Sequence, residues 1–343
     1  MIRFECDYNN GCHEKVLKAL VETNDLRTPG YGNDELCKEA ADIIRDICKC
    51  PEAAVHFIPG GTQANTIVIK SLLRAHQGVV SPESGHISVH ETGAIEAVGH
   101  EVLTLKPENG KISAAQVDEY CAKHYADESW DHLTQPGMVY ISHPTEMGTL
   151  YTKAELTALR EVCDKYDMPL YLDGARLGYG ISSVDSDVTM EDIAALCDVF
   201  YIGGTKVGAL FGEAVVITKT RYQKDFRYLI KQHGAMFAKG RLMGVQFKAL
   251  REDGLYFEIG KKADEQAYRI RDAFMAKGFE MLMFSPTNQQ FVIVDKESLK
   301  KLGEKYTFAT WEDLGDKASV RFCTSWATTD AEVDELVKDI EAL

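Results

Sequence analysis

The stretch Asp198-Val-Phe-Tyr-Ile-Gly-Gly-Thr-Lys206-Val-Gly208 decides how this chain is read. Its β-branched and aromatic residues predict a short buried strand that breaks at a glycine turn. A single lysine, Lys206, stands at the end of that strand with a threonine hydroxyl beside it. So placed, it projects into a cleft, where burial and neighbouring cations free the amine to attack a carbonyl as a Schiff base. A lysine that only caps a strand-end turn fits the same residues, so the assignment needs a second stretch.

Met168-Pro-Leu-Tyr-Leu-Asp173-Gly-Ala-Arg176 supplies it. An apolar strand delivers an aspartate and then an arginine at its carboxyl end, where open α/β sheets place their ligands. Asp173, Arg176 and Lys206 together meet the needs of pyridoxal phosphate. The aspartate keeps the pyridine nitrogen protonated so that the ring can accept electrons, and the lysine carries the aldehyde. The arginine can pair with a carboxylate or with the ring phenolate.

At 343 residues and 45% apolar, the chain can build one large domain and a smaller one, or two of equal size. Its 38 basic against 53 acidic residues give a net charge of -15, which argues against nucleic acid and anionic membrane as partners. No apolar run reaches the ~18 residues of a membrane span, and the amino terminus lacks a signal peptide's apolar core. A cytoplasmic enzyme is the expectation. Nine cysteines scattered from Cys6 to Cys323 fit a reducing compartment. The only close pair, Cys48 and Cys50, lacks a second pair or histidine at zinc spacing, so no metal site is expected.

Strands and helices alternate along the chain. A helix is predicted from His13 to Glu22, and another after Asn33 or Asp34 as cap, with Leu36, Ala40, Ile43, Ile44 and Ile47 at helical spacing. Strand Ala54–Ile58 runs into Pro59-Gly60-Gly61-Thr62-Gln63 and a helix. That turn offers backbone N–H groups and a positive dipole end to a phosphate, or is only a tight connection with Thr62 as cap. After strand Val79–Ser81, His86 follows Gly85 and is placed to stack on a flat ring and handle protons near neutral pH. Further strands are predicted over Glu101–Leu105, Met138–Ser142 and Glu213–Thr218. Helices open at capping sequences Ser113 to Gln116 and Thr152 to Glu155. Such alternation implies an α/β fold with a mainly parallel sheet covered on both faces. From Thr220 the helices turn more polar, and strands near Phe291–Val294 and Ser319–Thr324 suggest a smaller α+β domain. Arg321, a charge inside an apolar strand, needs either a structural carboxylate or a substrate's.

Pro29-Gly-Tyr31-Gly-Asn-Asp34, Gly60-Gly-Thr62-Gln63-Ala-Asn65, Gly85-His86, Asp173-Gly-Ala-Arg176, Gly203-Gly-Thr-Lys206 and Val320-Arg321 resemble the threonine aldolases. These belong to the aspartate-aminotransferase-like, fold type I pyridoxal phosphate enzymes. The resemblance implies a large cofactor-binding domain over residues 1–245, with about the first 12 residues as an arm, and a small C-terminal α+β domain over 246–343. It implies that Lys206 carries the cofactor, Asp173 binds its ring nitrogen and His86 stacks on the ring. Gly61, Thr62 and Thr205 would contribute to the phosphate site, with Gln63 alongside and Lys231 reaching across a subunit boundary. Arg321 and Arg176 would hold the amino acid's carboxylate, and Tyr31 would come from a neighbouring subunit of a dimer or, more fully, a tetramer. The implied reaction cleaves the Cα–Cβ bond of threonine or allo-threonine to glycine and acetaldehyde. A β-eliminating lyase or an aminotransferase on the same scaffold is the alternative, and a catalytically silent binding protein the rival of another class. The chain departs from the family's pattern at three places. Glu146, in Thr145-Glu146-Met147-Gly148, stands in a loop where a histidine is usual, leaving Glu146 or a water for the β-hydroxyl. Glu5-Cys6 replaces an arginine and a serine, which sets Cys6 beside the substrate. Ala238 stands where an arginine is expected, with Lys239 and Arg241 close by.

Overall fold

The computed structural model describes residues 1–343. A two-residue strand, β1 (Ile2–Arg3), precedes the seven of the main sheet. These are β2 (Ala54–Ile58), β3 (Gln77–Pro82), β4 (Val102–Leu105), β5 (Gln135–Ser142), β6 (Leu170–Asp173), β7 (Val199–Gly203) and β8 (Glu213–Ile217). Their order is β2-β8-β7-β6-β5-β3-β4. Neighbours from β4 to β7 run parallel, whereas β8 is antiparallel to both β7 and β2. Residues 204–212 explain the reversal: a parallel crossover needs about a dozen residues or more, so this shorter link turns straight back. The strand order sets β6 beside β7, and thus Asp173 beside the Lys206 turn.

Both faces of the sheet are covered, as the near-continuous apolar strands require. Val139, Ile141, Leu170, Leu172, Phe200, Ile202 and Val216 pack to one side, beneath helices that include Glu35–Ile47, Lys153–Lys165 and Arg241–Arg251. Val79, Met138, Tyr140, Tyr171, Val199, Tyr201 and Val215 pack to the other, against helix Gly61–Leu72. The expected starts hold: Asp34 accepts from the Cys37 amide, and Ser113 with Gln116 and Thr152 with Glu155 close capping boxes.

The second unit is an antiparallel sheet of β9 (Glu280–Met281), β10 (Gln289–Asp295), β12 (Ala309–Asp313) and β13 (Lys317–Cys323), with β11 (Tyr306–Thr307) pairing separately with β1. The amino-terminal arm therefore packs on the carboxyl-terminal sheet. Phe4 is fully buried in the cluster of Phe274, Val292, Val320 and Phe322, and its burial contributes about 2 kcal/mol to holding the arm. Residue 246 lies inside helix Arg241–Arg251, which packs on helix Glu35–Ile47. The following helix, Leu255–Ala276, starts in the main core with Leu255, Tyr256 and Ile259 and ends in the small one with Ile270, Ala273 and Phe274.

Candidate active site

Asp173 ends β6 and is 3% exposed. Its Oδ1 accepts hydrogen bonds from the Ala175 amide at 3.0 Å and from the Tyr201 hydroxyl. Its Oδ2 accepts from the Tyr140 hydroxyl at 2.7 Å and from Asn65 Nδ2 at 3.1 Å. Four donors hold the carboxylate fixed. Sequence reasoning missed the tyrosines, although the signal is there: each of β5, β6 and β7 carries a tyrosine two residues before its end. Period-two alternation and the pairing of Tyr140 with Tyr171 put these rings on the face that bears Asp173.

Beside it, a Cβ at Gly203 would strike the Ala175 carbonyl, so only glycine lets the ends of β6 and β7 close up. The Lys206 turn that follows is held by Glu213, which the sequence marked only as a strand start and which is 4% exposed at the start of β8. Its Oε2 accepts from the Gly204 amide at 2.9 Å and its Oε1 from the Thr205 hydroxyl at 2.7 Å. Thr205 Oγ1 also accepts from the Gly212 amide at 3.0 Å. The hydroxyl expected at the phosphate is thus committed inside the turn, because the buried Glu213 carboxylate needs a donor. Burial pushes Glu213 up to about 7 against those hydrogen bonds. Burial and then the Arg176 charge lower the pKa of the Lys206 amine, while Asp7, Asp173 and Glu213 oppose them. The amine has no ion-pair partner; its Nζ lies 5.9 Å from the centre of the Tyr8 ring.

His86 opens a one-turn helix after β3. Its amide donates to Glu146 Oε1 at 2.9 Å, and the Ser142 hydroxyl donates to the same oxygen at 2.6 Å. Its ring Nδ1 lies 2.7 Å from Glu91 Oε1. Glu146 Oε2 is buried without a partner, and burial raises the Glu146 pKa. The carboxyl expected to meet a substrate hydroxyl is thus turned onto the backbone that carries His86. Helix Gly61–Leu72 begins with Gly60 as cap and no side-chain cap; Thr62 is exposed within the first turn and caps nothing. Gln63 Nε2 donates to the His233 carbonyl at 3.2 Å, so its amide braces the neighbouring helix Phe226–Gln232.

Arg176 and Arg321 face different partners. Arg176 is gripped by Asp7, with Nε to Oδ2 at 2.6 Å and Nη2 to Oδ1 at 3.0 Å. Burial raises the Asp7 pKa, but the Arg176 and Lys206 charges and the hydrogen bonds outweigh it and hold that carboxyl at about 2. Arg321 has only neutral acceptors, Gln289 Oε1 at 3.0 Å and the Glu5 carbonyl at 2.9 Å, and its Nε has no partner. No structural carboxylate takes its charge. Cys6 lies between these residues on the arm, its thiol donating to Asn9 Oδ1 at 2.9 Å.

Tyr31 and Lys231 meet each other: the Lys231 Nζ lies 4.8 Å from the centre of the Tyr31 ring. Tyr31 is 45% exposed and its carbonyl accepts from Arg227 at 3.1 Å. It borders a cavity of about 360 Å³ lined by Asp34, Arg45, His56, Arg227 and Met236, which includes none of Lys206, Asp173 or His86. Arg241 is turned away to Thr23 and the Asn24 carbonyl, and Lys239 is exposed.

An unpaired, half-buried lysine beside a fixed carboxylate and a helix start whose amides no side chain caps are a donor set that fits pyridoxal phosphate. Asp173 would hold the ring nitrogen, Lys206 the aldehyde carbon and the Gly61 turn the phosphate.

The beta-eliminating lyase family matches this chain over residues 15–297. A low specificity L-threonine aldolase from a Pseudomonas species is 29% identical over 99% of this chain and 97% of its own. The structure of the Leishmania major threonine aldolase superposes with a TM-score of 0.97 at 40% identity, over 100% of this chain and 99% of its own. Aspartate aminotransferase from Thermus thermophilus gives 0.72 at 13% identity, over 100% and 91% of the two chains, which shows the shared fold.

Proposed function

This chain belongs to the beta-eliminating lyase family and within it to the threonine aldolases, and on that premise we propose that it cleaves the Cα–Cβ bond of threonine or allo-threonine to give glycine and acetaldehyde. The observation that carries the reading is the unpaired Lys206 amine beside the buried, fully hydrogen-bonded Asp173. Bound there, pyridoxal phosphate supplies an aldehyde for the amine and a ring that takes up the electron pair of the broken bond.

The chain's own groups account for the other steps. Burial and then the Arg176 charge lower the pKa of the Lys206 amine, which favours its nucleophilic form. The Asp173 carboxylate holds a proton at the ring nitrogen, and Arg321 receives the substrate carboxylate as a charge-assisted pair. His86, 36% exposed and held through its amide by Glu146, would stack on the ring and take the β-hydroxyl proton at Nε2. Arg176 is spoken for by Asp7, which weighs against the aminotransferase alternative, since that reaction calls for a second free arginine.

We further propose a homo-oligomer, dimeric at least and tetrameric in full, in which Tyr31 and Lys231 complete a neighbour's site. Exposure of Tyr31, Phe237 and Leu210 on the unpartnered chain supports this. Nine free thiols favour the cytoplasm, and no helix is long and apolar enough to cross a membrane.

The test is the visible absorbance of protein mixed with pyridoxal phosphate, followed by coupled detection of acetaldehyde from threonine and from allo-threonine. The expected result is a coloured protein that releases acetaldehyde, with both properties lost in Lys206→Ala. A coloured protein that releases none from either diastereomer would replace the aldolase reading with another lyase reaction.

A further inference from the structure

Glu91 has no part in the roles assigned above, yet its side chain is wholly buried between two one-turn helices, His86–Val89 and Ala94–Ala97. Its Oε1 accepts from Asn65 Nδ2 at 2.7 Å and lies 2.7 Å from His86 Nδ1. The same Asn65 amide donates to Asp173 Oδ2 at 3.1 Å, and its oxygen accepts from the Tyr171 hydroxyl at 2.7 Å. Glu91 Oε2 has no partner. Burying a carboxylate with an oxygen unmatched costs stability that an apolar residue of like size would not. A purely structural position would not need the charge.

What the charge does follows from the donor inventory of the two partners. A neutral imidazole has one proton for two nitrogens, and an ionised carboxylate can only accept. With Glu91 on Nδ1, that nitrogen must carry the proton, which leaves Nε2 as the bare lone pair on the open side of the ring. We propose that Glu91 is a positioning residue: it locks His86 in the tautomer with Nδ1 protonated and Nε2 free, and through Asn65 it ties the imidazole to the Asp173 carboxylate. One buried chain, Glu91 to Asn65 to Asp173, then orients both the imidazole and the aspartate. The inference rests on the reading of His86 as the group that takes the β-hydroxyl proton. The other charged or titratable groups facing His86 are Glu146 at its amide and His90 with its ring 5.6 Å away, and the Arg321 and Lys206 charges act on His90 in turn.

Two measurements on the full-length protein test this. The first is the ¹⁵N spectrum of histidine-labelled protein, with and without pyridoxal phosphate, at about pH 8 where imidazoles are neutral. The His86 signals are assigned by their loss in His86→Asn. The Nδ1-protonated pattern is expected in the unaltered protein and its loss in Glu91→Leu, which leaves Nδ1 without an acceptor. The second is the kinetics of threonine cleavage. In Glu91→Leu, kcat should fall about 10²-fold with KM nearly unchanged, as expected for a general base in the wrong tautomer, and Glu91→Gln, whose amide oxygen still accepts at Nδ1, should recover most of that loss.

An unaltered protein whose His86 is protonated at Nε2 overturns the proposal without any variant, so it stays testable if Glu91→Leu fails to fold. A Glu91→Leu protein that loses activity while keeping the tautomer overturns it too, leaving Glu91 a structural residue. If the tautomer is as expected but threonine is not cleaved, the reaction assignment falls and the role of Glu91 toward His86 stands.

Discussion

Arg176 and Arg321 look alike in the sequence and differ in what holds them. Arg176 is neutralised by a two-point grip from Asp7, and the Asn288 amide donates to that same carboxylate at 3.0 Å. Arg321 is steadied by an amide oxygen and a backbone carbonyl, so its position is fixed while its charge stays uncompensated. A guanidinium binds a substrate carboxylate well only where the chain has left that charge unmatched. The same amino-terminal arm makes both arrangements, offering a carboxylate from Asp7 to one arginine and only a carbonyl from Glu5 to the other.

Removing each partner in turn can break that contrast. The largest effect is expected for Arg321→Ala. Loss of a desolvated charge pair of about 3–4 kcal/mol should lower kcat/KM for threonine by about 10²- to 10³-fold, with the thermal transition little changed. A loss below about threefold, with Arg176→Ala the more damaging variant, would reverse the two roles.

Asp7→Asn comes next. It strands the Arg176 charge at 11% exposure and should cost about 3 kcal/mol in urea unfolding. The pH dependence sharpens the point. Asp7 titrates at about 2 in the fold against an ordinary 3.8, so its stabilisation is complete above pH 3.8 and is lost as pH falls toward 2. That acid limb amounts to about 2 kcal/mol and should be absent in Asp7→Asn.

Glu213 is the opposite case, a buried carboxylate without an ion-pair partner. Its folded pKa of about 7 lies above the ordinary 4.5, so the fold is weakened as pH rises from 4.5 to 7. In cofactor-free protein, Glu213→Gln should leave stability unchanged below pH 4.5 and raise it by about 3 kcal/mol above pH 7, read from urea midpoints. The smallest effect is expected at Asp264, whose two buried oxygens have no side-chain partner and whose pKa burial drives well up. Asp264→Asn should raise the melting temperature by about 1–2 °C at neutral pH, and a fall would mean that its charge has a partner.

Much of the architecture was legible along the chain because it depends on local chemistry. The alternation of strands and helices announced a sheet covered on both faces, and Ser113 and Thr152 marked helix starts through acceptors three residues on. The reversed strand β8 was less visible, since only the length of the link after Lys206 encodes it. Thr62 and Thr205 part company in the fold. A hydroxyl in a glycine turn looks available, and Thr62 stays exposed without capping its helix, but Glu213 draws Thr205 inward.

By itself, then, the sequence determined the fold class, the lysine, the aspartate that faces it and the chemistry they suit, because each is written in a few contiguous residues. Tertiary structure alone decided the partners: Asp7 on Arg176 across 169 positions, Asn65 on Asp173 across 108, and Glu5 on Arg321 across 316. Hydrogen bonds and ion pairs act over about 3 Å in space and carry no mark of separation along the chain. Which charges are satisfied, and therefore which remain for a substrate, was settled only when the strands and the arm came together.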